Sequence, residues 1–231
     1  STCHLMRRNR PLDIYSPPGL ESIIRDQLIA GQTELMYELR FHELNPEQSE
    51  RIYENEDITV DTVVLNHRIP CLGFIFREKQ RQRKIIREKL AEYQIPVEFI
   101  PDIKAGKDIL DEGTGKRILN SEITTDPPRP RSYAYCCDTA YFPNIVPYIQ
   151  GVDLLYHDCT FAEDSAQRAA DTFRSTTIQA ARIAQQAGVA RLMIGHFSSK
   201  YDDLQVLLRE AQSVFPLSIL AIEGRTTAIE R

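Results

Sequence analysis

Four short apolar runs in this chain each break off at a residue able to do metal or acid–base chemistry. No other feature of the 231 residues constrains the fold more. Thr62–Leu65 leads to His67, Tyr133–Cys137 to Asp138, Val152–Tyr156 to His157 and Asp158, and Arg191–Gly195 to His196. Runs of this length read as buried strands, and in open α/β sheets sites form at the carboxyl ends of strands. Imidazoles and carboxylates gathered there suit a divalent metal such as zinc.

The intervening segments have helical spacing. Leu20, Ile23, Ile24 and Leu28 mark a helix that stops at Gly31, after a strand-like Leu12–Tyr15. Residues 35–44 alternate as a strand, and Phe74–Phe76 continues the sheet after Ile58–Leu65. Beyond Tyr133 the order is β then α throughout. Thr176 and Gln179 form a predicted capping box and Gly188 a C-cap around a helix with Ile178, Ala181, Ala184 and Ala187 on one face. Leu204–Phe215 is a further helix, halted by Pro216, and Ser218–Ile222 the last strand. This alternation predicts an α/β layered fold.

Residues 77–131 break the pattern. Arg77, Lys79, Arg81, Arg83, Lys84, Arg87 and Lys89 crowd one stretch against Glu78 and Glu88. A helix over residues 80–93 is expected, with Ile85, Ile86 and Leu90 inward. Residues 94–131 then read as irregular and rich in Pro and Gly. The whole stretch is read as an excursion from the sheet, its cations either a solvated helix face or a phosphate-binding surface.

The formal net charge of −5 means that any nucleic-acid contact must use a local basic patch. The length suits one domain, and no apolar run approaches the roughly 20 residues that span a bilayer. Ser1–Arg10 has no apolar stretch of a secretory signal. The chain opens without Met and runs directly into a strand, as expected of a start partway into a longer protein. Cys3, Cys71, Cys136, Cys137 and Cys159 form no CxxC pair and read as reduced thiols of a cytoplasmic protein.

Each candidate has a structural alternative. Asp138 could bridge metals or cap the next turn. His196 and His67 could be ligands or hydrogen-bonded rim histidines. His157 and Asp158 point to opposite sides of an extended chain, so at most one faces a site.

Taken in order, His67 with Ile69-Pro70 and Gly73-Phe74, Cys137-Asp138-Thr139, His157-Asp158-Cys159-Thr160-Phe161, Ser175-Thr176-Thr177 and His196-Phe197-Ser198-Ser199-Lys200-Tyr201 resemble the ribonuclease Z family. This is the tRNA 3′-processing endonuclease group of the metallo-β-lactamase superfamily, and the resemblance runs from about Leu12 to the C-terminus. It implies a metallo-β-lactamase-like αβ/βα sandwich, a single domain over residues 1–231 with an inserted tRNA-gripping arm at 77–131. It implies two zinc ions per subunit held by His67, a bridging Asp138 and His196. Two such ions activate water against the scissile phosphodiester. Lys200, Arg81, Arg83 and Lys84 would contact precursor tRNA, and the family usually works as a homodimer with no membrane contact.

The chain departs from the family in places. Its His-x-His-x-Asp-His motif is absent and is expected before Ser1. As written, the chain should not hold a competent two-metal site, and its first strands should also be lacking. A non-catalytic RNA-binding fragment and another phosphodiesterase of the superfamily are the rival readings. Cys137 replaces the usual Gly, Asp158 the usual Glu, Lys200 the usual Arg and Arg174 the His that assists the leaving group. An ion pair between Arg174 and Asp158 is expected, with Arg174 acting through its charge, since it does not readily give up a proton.

Overall fold

The computed structural model describes residues 7–110 and 115–230. Cys3 lies outside them. The chain begins with β1 (Leu12–Ser16), α1 (Leu20–Ala30) and β2 (Leu39–Glu43). β1 and β2 pair in parallel as a separate ribbon. The spacing in α1 is as expected, but none of its residues is buried, and Ile23 and Ile29 are exposed.

A mixed seven-stranded sheet carries the rest. β3 (Arg51–Glu54), which has no clear apolar signal, forms one edge beside β4 (Ile58–Val64) and β5 (Leu72–Glu78). The stretch read as a helix over 80–93 is instead a two-residue strand, β6 (Lys84–Ile85), followed by a short helix, α2 (Arg87–Glu92). The Ile86 N–H bonds to Ile123 O at 2.9 Å, and this pairing across the excursion overrides local helical spacing. Nor are residues 94–131 simply irregular. They contain α3 (Ile100–Lys104), β7 (Ile109–Leu110), β8 (Arg117–Ile118), α4 (Asn120–Ile123) and β9 (Thr124–Thr125). Buried Ile103, Ile109, Ile118 and Ile123 form a small core there, which Ile85, Leu90, Tyr93, Ile95 and Phe99 surround. Buried Asn120 satisfies the turn, its amide donating to Ile103 O and Lys107 O.

The excursion leaves and rejoins at one point. Arg77 and Glu78 still belong to β5. The Arg131 backbone N–H donates to Glu78 Oε2 at 2.9 Å, its guanidinium donates to Oε1, and the Glu78 N–H returns a bond to Arg131 O. Next comes β10 (Ser132–Cys136), antiparallel to β5.

β10, α5 (Val146–Ile149), β11 (Leu154–Asp158), α6 (Ala166–Asp171), α7 (Thr177–Ala187), β12 (Leu192–Gly195), α8 (Leu204–Val214) and β13 (Ser218–Leu220) complete the fold. The last four strands run parallel, in the order β10, β11, β12, β13. β11 runs two residues further than its apolar run predicts, because His157 and Asp158 still pair with β12. The predicted capping box closes α7, with Thr176 Oγ1 accepting from Gln179 N–H and Gln179 Oε1 accepting from Thr176 N–H. Ala180, Ala181, Ile183, Ala184 and Ala187 of α7 pack in one core with Ile75, Leu155, Leu192, Ile194 and Leu207. Small alanines bring the helix backbone close to the sheet, and each large side chain buried there contributes roughly 1.5–3 kcal/mol. This packing fixes the carboxyl ends of β10, β11 and β12 in a row.

Candidate metal centre

Register sets the site. Cys136 lies opposite His157, and Asp158 opposite Gly195. Cys137 and Asp138 therefore leave β10 beside the end of β11, and His196 leaves β12 beside both. His196 adopts φ 63°, a left-handed conformation uncommon for a residue with a side chain. Its backbone N–H donates to the Tyr156 hydroxyl oxygen.

The donor atoms of Cys137, Asp138, Asp158 and His196 all lie within 4.8 Å of one another. His196 Nε2 is 3.0 Å from Asp138 Oδ1, and Cys137 Sγ is 3.7 Å from the same oxygen. Asp158 is fully buried and engaged on both oxygens. Oδ1 accepts from the Thr160 N–H and hydroxyl, at 3.0 and 2.8 Å, and Oδ2 accepts from the Thr139 N–H at 3.2 Å. Thr160 Oγ1 lies 3.1 Å from His196 Nδ1, which turns the Nε2 edge toward Asp138. A carboxylate that orients a ligand through its other ring nitrogen is the usual outer support of a metal site.

The expected pairing of Arg174 is met in part. Its Nη1 lies 3.6 Å from Asp158 Oδ2, but it sits closer to Asp138 Oδ1, in ion-pair contact without directed hydrogen-bond geometry. Burial alone would push the Asp138 carboxyl up. The opposing charges of His196 and Arg174 outweigh it and hold the group below the ordinary carboxylate value. Burial, with Asp158 and Asp138 adding, pushes the Cys137 thiol up. Buried His157 is not one of these donors, and its Nδ1 lies 2.8 Å from Asp158 O. Burial lowers its pKa, which keeps it neutral.

The other predicted residues are spread more widely. His67 follows β4 and sits outside the four-donor group, its Nδ1 3.3 Å from Phe173 O. The Ala140 N–H donates to Asn66 O at 2.8 Å, tying that loop to the end of β10. Lys200 donates to Ser165 Oγ at 2.7 Å and lies over the Phe161 and Tyr201 rings. Arg83 is bound within the excursion, to Asp126 and to Thr124 Oγ1. Arg81 lies 4.0 Å from Asp57, and Lys84 is exposed. Sequence reasoning missed Thr160 as the link between Asp158 and His196. The signal available was a Thr two residues after the strand-end carboxylate, where its amide and hydroxyl reach back to that carboxylate.

The donor chemistry suits a divalent metal: one imidazole nitrogen, two carboxylates and a thiol converge.

No protein-family model matches the chain. Among solved structures, human tRNase Z, short form, superimposes with a TM-score of 0.64 at 19% identity, over 100% of this chain and 71% of that one. The metallo-beta-lactamase fold protein YhfI from Bacillus subtilis gives 0.59 at 16%, over 96% and 65%. With the mixed sheet and its strand-end site, these likenesses define a protein of the metallo-β-lactamase fold. Two sequences are nearer. The chain is 46% identical over 224 residues to the ribonuclease Z of Bacteroides fragilis, covering 97% of this chain and 73% of that protein. It is 43% identical over 229 residues to that of Parabacteroides distasonis, covering 99% and 75%. The chain belongs to the ribonuclease Z family of metal-dependent endoribonucleases.

Proposed function

We propose that the protein removes the 3′ trailer from precursor tRNA by metal-dependent cleavage of a phosphodiester, with zinc as its metal. The observation that carries this reading is the convergence of Cys137 and Asp138, at the end of β10, with His196, at the end of β12, in a chain of this family. The metal-bearing protein is read as a cytoplasmic homodimer with two zinc ions per subunit. His67, Asp138 and His196 are its ligands from these residues, and Asp138 is shared. Among the described residues, no helix is long and apolar enough to cross a membrane.

A bound divalent cation supplies Lewis acidity and a water of lowered pKa. The chain's own residues do the rest. Asp158 and Thr160 hold the His196 ring. Arg174 presents fixed positive charge toward a phosphate without serving as a ready acid at neutral pH. Lys200, steadied by two aromatic rings, adds a point charge.

Residues 77–131 are read as the tRNA-gripping arm. Arg83, Lys84, Arg87 and Lys104 line a groove of about 510 Å³ there, together with Gln82, Ile85, Leu90 and Ile100. Such a concentration of cations in a chain of net charge −5 suits phosphate contacts that position RNA without reading its sequence. Arg83 shapes the groove through Asp126, leaving Arg81 and Lys84 as the outward contacts.

The test replaces residues 80–130 with a short linker. Zinc-dependent cleavage of precursor tRNA is expected to disappear while hydrolysis of bis(p-nitrophenyl) phosphate continues. Retention of trailer removal would refute the arm's role. A folded protein that takes up no metal would point to an RNA-binding module without catalysis.

A further inference from the structure

We propose that Tyr156 is a positioning residue for His196: its hydroxyl fixes the His196 backbone in the left-handed turn that carries the imidazole to the sheet rim, and Gly195 is the gap that admits the phenol ring. This rests on the reading of the chain as a metal-dependent enzyme and adds to it a restraint on the backbone of His196, separate from the one Thr160 places on its ring.

The alternation of β12 shows why such a restraint is needed. Ile194 is fully buried, in the core that α7 shares. Side chains two apart on a strand lie on one face, so a strand continued through residue 196 would send the imidazole down the Ile194 side. Instead His196 turns to φ 63°, and its Nε2 reaches Asp138 Oδ1 at 3.0 Å. A residue with a side chain keeps such a conformation only where its surroundings impose it. The Cys159 N–H bond to Gly195 O and the Ser198 N–H bond to Thr160 O tie the chain on either side of the turn. Thr160 meets the ring at Nδ1. The backbone N–H of His196 itself goes to Tyr156 Oη.

Register and packing place the phenol for this task. Tyr156 pairs with Met193 and Asp158 with Gly195, so the Tyr156 side chain crosses diagonally toward the end of β12. Gly195 leaves room for it, since a Cβ there would overlap the phenol ring. Tyr135 lies directly opposite Tyr156 on β10 and stacks on it, with ring centroids 4.8 Å apart and planes 24° from parallel. That stack keeps the ring from swinging away from Gly195. Burial pushes the Tyr156 hydroxyl up to about 12, so it stays neutral. It therefore takes the N–H without placing a further negative charge beside Asp158. Tyr156 sets where the imidazole starts, and Thr160 sets how the ring is turned.

Zinc titration of the full chain, with amide hydrogen exchange of its metal-free form, tests the role. Tyr156→Phe keeps the ring and its stack on Tyr135 but cannot accept the N–H. Zinc affinity is expected to fall about tenfold or more, as for loss of a group that orients a metal ligand. The His196 amide, protected in the unaltered protein, is expected to exchange faster in the variant. Tyr133→Phe, on the same sheet face but stacked on Phe76, should leave both readouts unchanged. Melting of the metal-free variants verifies that they fold. Unchanged zinc affinity in folded Tyr156→Phe overturns the proposal and leaves the metal-dependent reading intact. So does a freely exchanging His196 amide in the unaltered protein, a result that needs no variant. An equal effect of Tyr133→Phe also overturns it, because the loss would then belong to the aromatic face as a whole. Absence of zinc uptake by the unaltered protein removes the reading and the proposal together.

Discussion

His196 Nε2 meets Asp138 Oδ1 at 3.0 Å although their strands, β12 and β10, are separated by β11. The contact spans two strand spacings because each residue lies just past its strand end, where the chains can lean across Asp158. The intervening strand thus contributes the carboxylate that aims the imidazole through Thr160.

Thr160→Val removes the hydroxyl while keeping the branched shape. Metal affinity is expected to fall about 10- to 100-fold, read by zinc titration, with little change in the helical and sheet signal. Thr160→Ser should restore it. Equal affinity in the Val variant would mean that His196 is oriented by its backbone alone.

Arg174→His exchanges a permanent charge for one that titrates near pH 6.5 in the absence of perturbation. The pH–rate profile for phosphodiester cleavage is expected to gain a change in its alkaline limb. An unchanged profile would show that Arg174 acts only by holding Asp138 in place.

Asp153 anchors the start of β10, with Oδ2 accepting from the Ser132 N–H at 2.6 Å and its hydroxyl at 2.8 Å, beside Arg129 at 2.5 Å. Burial would raise its pKa, but Arg129 and Ser132 outweigh burial and lower it. A carboxyl depressed in the folded state stabilises the fold above its unfolded value, near pH 3.9. That contribution drains away as pH falls through the folded value. The stability gap between the protein and Asp153→Asn, measured by urea unfolding, should be full at pH 6 and shrink below about pH 4. A gap that stays constant into acid would contradict the assignment.

A methyl group on Gly195 would come within 2.5 Å of Tyr156 Cζ and 2.7 Å of Cε2. Gly195→Ala is expected to destabilise the fold by about 1–3 kcal/mol. In a double-mutant cycle with Tyr156→Ala the combined cost should fall short of the sum. Strict additivity in thermal unfolding would show that the two residues do not meet.

Much of this is legible in the sequence. The strand ends beside Asp138 and His196 follow from short apolar runs that stop abruptly, and the ends of α7 from the local chemistry of Thr176, Gln179 and Gly188, whereas β11 carries on through Asp158 because pairing with β12 extends it past its apolar run. The excursion was not legible in detail. Ile85 and Ile86 have helical spacing with Leu90, but pairing with residues some forty positions away made a strand of Lys84–Ile85. The amphipathic spacing of α1 likewise predicts a helix without saying what its apolar face meets. The site's composition was half legible. Asp138 and His196 could be singled out one by one, but the proximity of Cys137 Sγ depends on how the chain turns after β10, which no spacing records.

The clasp between Glu78 and Arg131 has a consequence for descent and for engineering. Both ends of the excursion are pinned at one point on adjacent strands, and the segment carries an apolar nucleus of its own. What lies between can therefore lengthen, shorten or be exchanged without the catalytic half registering the change. Substrate reach and bond-breaking chemistry are free to vary independently.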